Sequence, residues 1–454
     1  MYPRAMPRFA RLLATLALLA PAVGGAQSAG DTPIQSGPMV GHAEMRAAQL
    51  WLQTKRPAAV RFEYWDEATP TKVLTTTEIR TTRENAFIAK SVISLLEPGR
   101  TYRYAVVVDG RRVARPYPLK FQTPPLWQWR TDPPEFTVAI GSCTYINDPP
   151  YDRPGTPYGG DYQIFPAIAA KQPQAMIWLG DNCYLREADS GSRQTVLYRY
   201  THSRSTPEMQ PLLAACSHYA IWDDHDYGPN DSDRAYRDKL NTRAAFELFT
   251  ANPTYGFPER PQLTTTMFSW GDVDFFLMDD RTDRAPNQRK TGEKPYLGQA
   301  QVRWLVDSLI SSLATFKIVC IGNQVLNPAR AAGIETYAHF AVEQKELLDT
   351  IAAEGIHGVI FVTGDRHHAE LTRMPREGTY PLYDVTTSPL TAGVSVRGEN
   401  EANTWRVPDT YLKERNFALL KFNGPRKERV VTVQMCRTDG SVAWERLIPA
   451  RELQ

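Results

Sequence analysis

Excess charge of either sign is missing from this sequence. Lysine and arginine total 52 and aspartate and glutamate 50 across 454 residues, so the formal net charge is only +2. That balance, with no basic tail, argues against specific nucleic-acid recognition as the main task. Long apolar runs are missing as well: after residue 23 no stretch reaches the length that spans a bilayer. Cysteine is scarce, and the count of five is odd, so the thiols cannot all close into disulfides. Histidine is scarce too, at eight. Where these few residues fall therefore carries information.

The N-terminus reads as a targeting segment. Arg4, Arg8 and Arg11 form a positive start, residues 12–23 (LLATLALLAPAV) a short apolar stretch, and Gly24-Gly25-Ala26 a small-residue cleavage site. Residues 1–26 are thus expected to be a signal peptide. No cysteine follows the cleavage site to take a lipid, and the arginines are not paired. The expected mature protein is exported, periplasmic or extracellular. In such an oxidising compartment an unpaired thiol either hides in a core or holds a metal. Cys320, inside IVCIG, reads as a core thiol, and so does Cys183.

The length suits two domains, and the 42% hydrophobic content suffices for real cores. Residues 37–124 alternate with period two in runs such as AQLWLQT, AAVRFEYW and YRYAVVVDG, separated by turns at Glu97-Pro98-Gly99 and Asp109-Gly110. The segment LEPGRTYRY, residues 96–104, resembles the turn and strand of a fibronectin type III or immunoglobulin-like sandwich. Pro124-Pro125 and Pro133-Pro134 mark a linker. From 134 to 454 short apolar runs alternate with amphipathic helical patterns, as at residues 300–313 and 342–355.

Six of those apolar runs share one grammar. They end in Gly141-Ser142-Cys143, Gly180-Asp181-Asn182-Cys183-Tyr184, Asp223-Asp224-His225, Asp279-Asp280-Arg281, Gly322-Asn323-Gln324 and Gly364-Asp365-Arg366-His367-His368. In α/β sheets ligands bind beyond the carboxyl ends of strands, so six such ends predict one shared centre. Its donors are a thiolate, a phenol, carboxylates, carboxamides and imidazoles. Cysteinate with tyrosinate favours a strongly Lewis-acidic ion such as Fe(III), and carboxylate and amide oxygens favour a hard ion such as Ca²⁺. Two metals a few ångströms apart clamp a displacement at phosphorus and generate a hydroxide nucleophile near neutral pH.

Gly180-Asp181-x-x-Tyr184, Trp222-Asp223-Asp224-His225 and Gly364-Asp365-x-His367 resemble the PhoD-like alkaline phosphatase family, relatives of the calcineurin-like and purple acid phosphatases. Leu297-Gly298-x-x-Gln301-x-x-Trp304-Leu305 and Lys317-Ile318-Val319 are in the same style. The resemblance implies a four-layer metallophosphoesterase sandwich, two mixed β-sheets flanked by helices, preceded by a small all-β sandwich. It implies an exported hydrolase of phosphate monoesters or diesters, with Fe(3+) and one or two Ca(2+), other divalent metals being an option. Cys143, Tyr184 and His367 would hold iron and Asp181 would bridge. Asp224, Asn230 and Asp365 would face calcium, with Asp223 and Asn323 as further candidates. His225 would act on the leaving oxygen as donor or general acid. Arg366 would join it in catalysis and, with Arg281, Arg204 and Arg199, offer bidentate phosphate contacts.

Residues 151–161 (YDRPGTPYGGD) and 198–207 are expected to shape the rim that selects the substrate. Specialisation for phospholipids or nucleotides on the same scaffold is an alternative. A calcium-stabilised binding module is a more distant one, because it leaves Cys143, Tyr184 and His367 without a reason. A monomer is the default expectation. Residues 394–414 are polar and have no assigned role. Residues 417–448 return to strands that complete the second sheet.

Overall fold

The computed structural model describes Met1, residues 32–331 and residues 333–454. The expected signal peptide, Met1 apart, lies outside the described residues.

Period-two alternation builds the first sheet and decides its two faces. Val138, Ile140, Ile177, Leu179, Tyr219 and Ile221 face the central core, while their neighbours Ala139, Met176, Trp178, Ala220 and Trp222 face an outer one. The outer core is filled by helices Ile164–Ala170, Arg193–Arg204, Gln210–Ala215 and Lys239–Phe249. Three strands, Phe136–Gly141, Ala175–Leu179 and Ser217–Ile221, run parallel at the middle of this nine-stranded sheet. Beyond Phe136–Gly141 come the antiparallel strands Asn416–Asn423, Val430–Arg437 and Val442–Pro449. The expectation for residues 417–448 is corrected here. They extend the first sheet rather than the second, because Asn416–Asn423 pairs with Phe136–Gly141, with Phe136 opposite Phe422.

The second sheet has six strands in the order Thr266–Trp270, Val273–Leu277, Phe316–Cys320, Val359–Thr363, Leu382–Thr386 and Glu370–Met374. Its four inner strands are parallel and its two edges antiparallel. Rings such as Tyr219 and Phe268, stacked with centroids 3.5 Å apart, lock the two sheets face to face. Helices Gln299–Ser311 and Ala341–Ala353 cover the far side through Val302, Leu305, Leu309, Leu347 and Ile351. The result is helix, sheet, sheet, helix: the four-layer sandwich. All six apolar runs with polar ends are strands, three adjacent in each sheet, so their carboxyl ends converge.

The N-terminal all-β region is not a bead on a linker. Its strands Ile34–Glu44, Ala47–Thr54 and Ile88–Ser94 continue the nine-stranded sheet, with Val40 paired to Ser217. A separate sheet, built on Ala59–Asp66 and Thr101–Val108, packs over them through Val60, Phe62, Tyr104 and Val106. On the opposite face Trp51 packs on Phe249 and donates to the Leu248 carbonyl at 2.8 Å. A run of strong alternation predicts a strand, but the strand's partner is set by contacts more than a hundred residues away.

Residues 394–414 lie against the segment that follows Val359–Thr363. Ser395 N donates to the His367 carbonyl at 2.9 Å, and Leu412 and Ala369 exchange backbone hydrogen bonds. Arg406 pairs with Glu370, and Glu401 with Arg366 at 2.6 Å. This polar strap fixes the histidine-bearing loop from outside.

Candidate metal centre

The strand ends can converge because small residues let them. A Cβ on Gly180 would lie 2.5 Å from the Asp223 Cβ, and one on Gly322 would lie 2.6 Å from the Asp223 Cγ. Neither space exists for a side chain. The loops then turn sharply, and Cys143, Asp181, Asp365 and His367 all adopt left-handed backbone, with φ of 61°, 52°, 62° and 56°. Non-glycine residues rarely sit there, and such strain clusters at functional sites.

Four overlapping groups of donor atoms result, each with its atoms within 4.8 Å of one another: Cys143, Asp181 and His367; Asp181, Asp224 and His225; Asp223, Asp224 and Asp365; Asp224, Asp231 and Glu335. Asp181 belongs to the first two and Asp224 to the last three. The Cys143 Sγ lies 3.6 Å from Asp181 Oδ2. Tyr184 Oη lies 3.2 Å from His367 Nε2 and so stands with the first group. His367 Nδ1 donates to the Gly393 carbonyl at 2.5 Å, which leaves Nε2 as the lone-pair nitrogen.

Electrostatically the cluster is unbalanced. Burial, then the charges of Asp224, Asp226 and Asp365, push Asp181 well above the ordinary carboxylate range. Burial, with Glu335 and Asp224 next, pushes Asp365 up to about 8. Cys143 and Tyr184 are likewise driven up by burial and by the neighbouring acids. Asp224 differs: His225, Arg281 and the Asp231 N–H outweigh its burial and hold it low. Its Oδ2 accepts from Asp231 N at 2.7 Å, but its Oδ1 is buried without a hydrogen-bond partner. Buried charge of one sign with an orphaned oxygen calls for cations. The donors fit two kinds of ion side by side: thiol, phenol, imidazole and carboxylate in one place, and oxygen alone in the next.

Asn182 N, Cys183 N and Asp223 N all donate to Asp226, at 3.0, 3.3 and 3.1 Å. Burial lifts that carboxyl to about 7. Asp226 thereby ties the Asp181 loop to the Asp223 loop. His225 stacks on Tyr184 with centroids 4.1 Å apart, and its Nε2 is 4.0 Å from Asp224 Oδ2. Asn230 is exposed beside it at the edge of the pocket.

Other expected residues stand differently. Asn323 is buried, accepts from Arg284 Nη1 at 2.7 Å and donates to Asp223 Oδ2 at 3.3 Å, so its amide braces Asp223. Arg281 is fully buried and its donors are spent on Asp223, Glu335 and the Ser232 carbonyl. Arg204 lies 4.9 Å over the Trp178 ring in the outer core, and the structure does not bring it to the cluster. Arg199 is buried between Asp148 and Asp189. Arg366 keeps one buried nitrogen, Nη1, without a partner while the other pairs with Glu401.

Sequence reasoning missed Glu335, Asp231 and Arg284. Glu335 is buried and bridges Arg281 at 2.7 Å and Arg284 at 2.6 Å. It sits in a loop with no apolar run before it, so no local signal marked it. Asp231 follows Asn230 directly and reads as a turn residue.

Over the cluster opens a pocket of about 590 Å³, walled by Tyr145, Tyr151, Tyr158 and Tyr184 and reaching His225 and Asn230. The segment 151–161 supplies much of its rim, whereas 198–207, expected to share that role, does not line it and reaches it only through Tyr198 behind Tyr151.

Fold and site together define a metallophosphoesterase. The PhoD-like phosphatase family model matches residues 139–424, and the chain belongs to that family. Residues 31–126 match a family described as a domain of unknown function (DUF7800). Among curated proteins, none matches the chain. Among solved structures, PhoD is similar with a TM-score of 0.73 at 14% identity, covering 92% of each chain. The purple acid phosphatase PPD1 from yellow lupin (Lupinus luteus) seeds has a TM-score of 0.63 at 11% identity, covering 92% of this chain and 75% of its own. These two likenesses are of fold. Among the described residues no helix is long and apolar enough to cross a membrane.

Proposed function

We propose that this protein is an exported phosphoesterase that cleaves phosphate monoesters, diesters or both at a mixed iron and calcium centre. The carrying observation is the sharing of Asp181 between a thiol–imidazole group and a carboxylate–imidazole group, the latter joined through Asp224 to groups of oxygen alone. Cys143, Tyr184, His367 and Asp181 would hold Fe(3+), and Asp224, Asp365 and Asn230 would face Ca(2+), with Asp181 common to both. Bound ions supply Lewis acidity toward the phosphoryl oxygens and an activated water.

The chain's own residues do the rest. The Gly393 carbonyl keeps the His367 proton on Nδ1, so Nε2 stays a donor of electrons. His225 stands at the pocket floor, one fifth of its side chain exposed. There it can give a proton to the leaving alkoxide. Burial lowers its pKa below the ordinary value, which makes the protonated ring a stronger acid. Arg366, with Nη1 free, is the cation best supported for a phosphate oxygen, and Glu401 holds its other nitrogen. Arg281 and Arg284 act through Asp223 and Glu335, which they fix in place. Export is supported by the N-terminal pattern of charge, apolar stretch and small residues.

The test is elemental analysis of purified protein together with hydrolysis of an aryl phosphate monoester and diester, with and without calcium. Iron and calcium with calcium-dependent turnover support the reading, and the ratio of rates picks the ester class. Protein that carries neither metal and cleaves neither ester sinks it.

A further inference from the structure

The pocket above the centre is built for a flat ring. We infer that the enzyme prefers phosphoesters whose alcohol half carries a planar ring, aryl or nucleoside, seated against Tyr151 and Tyr158. This rests on the phosphatase reading and adds a substrate class to it.

His225 forms part of the pocket floor, so a group departing beside it moves into a chamber walled by tyrosines. Tyr145 meets Tyr158 edge-on at 4.9 Å and Tyr184 at a tilt at 5.0 Å, forming the inner wall. Tyr151 and Tyr158 remain 48% and 45% exposed, unusual for two large rings lining one cavity. They are held ready. The buried Arg199 backs the Tyr151 ring at 5.8 Å and Tyr198 meets it edge-on at 5.9 Å. The segment that carries the two tyrosines is held near both ends: Arg186 donates to Asp152 at 2.7 Å, and Arg415 to Asp161, three residues past Tyr158, at 2.7 Å. Rigid, solvent-facing rings lose little freedom on binding and stack on any π face.

The rest of the lining narrows the choice. Among the pocket residues only Leu185 and Pro154 are purely aliphatic, too few for an acyl chain. Arg153 and Glu187 stand at the rim with opposite charge, and neither makes an ion pair or a side-chain hydrogen bond among the described residues. A rim without net charge does not favour a second phosphate. A volume of about 590 Å³ accommodates a nucleoside or aryl group.

The experiment uses matched pairs that differ in the ring but share the leaving oxygen. Adenosine 5′-monophosphate is compared with ribose 5-phosphate, and 2-phenylethyl phosphate with ethyl phosphate, on the metal-loaded enzyme. The expected result is a preference in kcat/KM of about tenfold or more for the ring-bearing member, seen mainly in KM. Preference in the first pair alone names a nucleoside, in the second alone a simple aryl group, and in both a general ring site. Tyr151→Ala should erase the preference, and Tyr151→Phe should keep it. Hydrolysis of all four esters without preference overturns this inference and spares the phosphatase reading. The methyl diesters of the same four compounds are run alongside, and hydrolysis of none of the eight overturns both.

Discussion

Buried carboxylates occur in two settings in this molecule, and they are treated oppositely. Asp272 sits in the turn between strands Thr266–Trp270 and Val273–Leu277, where Arg429 donates to it through Nε at 3.1 Å and Nη2 at 2.9 Å. Glu343 accepts from three successive backbone N–H groups, Tyr296, Leu297 and Gly298, and from the Tyr337 hydroxyl. Asp384 is similarly satisfied by Val325 N, Leu326 N and Thr363. At the strand ends the half-buried Asp365 accepts no hydrogen bond among the described residues, and one buried oxygen of Asp224 is orphaned. The core therefore has the means to answer a buried acid, and among the acids of the donor cluster it leaves Asp224 with a bare oxygen. Unanswered acids beside a thiol and an imidazole are a demand for metal.

The contrast breaks most sharply at Asp181. Asp181→Asn should lower turnover of an aryl phosphate about 10³-fold, roughly 4 kcal/mol of barrier. In chelator-treated protein the same change should leave the melting temperature unchanged or raise it, since it removes repulsion. Asp272→Asn should behave in reverse. Stripping Arg429 of its partner should cost about 3–5 kcal/mol of stability in denaturant titrations, with metals or without. Turnover by the folded fraction should be unaltered.

His225→Ala sharpens the division of labour inside the cluster. It should reduce kcat about 10²-fold with KM little changed, measured on an ester with a poor leaving group. A further effect is in pH. In metal-free protein Asp365 keeps its proton up to about pH 8, whereas an unfolded aspartate loses it near 4. Between those values the folded state holds more protons, so stability must fall as pH rises and level off above 8. Loaded protein should lack that slope, because cations favour the ionised acids.

The site's main donors were legible because each lies at the end of a contiguous apolar run, and a strand announces itself by such a run. Cys143, Asp181 and His367 needed only that pattern and the glycines beside it. Glu335 was not legible: its meaning comes from Arg281 and Arg284, more than fifty residues earlier, and no periodicity precedes it. Arg204 misled for the opposite reason, because a basic residue on a helix looks available until its burial over Trp178 is seen. The role of residues 394–414 was hidden for similar reasons, since a polar strap has no period and shows itself only through Glu401 and Arg406 against the histidine loop. The joining of the all-β region to the main sheet rests on register between Val40 and Ser217, which no local pattern encodes.

The most direct measurement is to strip the metals from the purified protein, titrate them back and follow turnover of an aryl phosphate and melting temperature together. The account predicts that both are low after chelation and climb in parallel, saturating at two or more ions per chain. Turnover that survives complete chelation would contradict it.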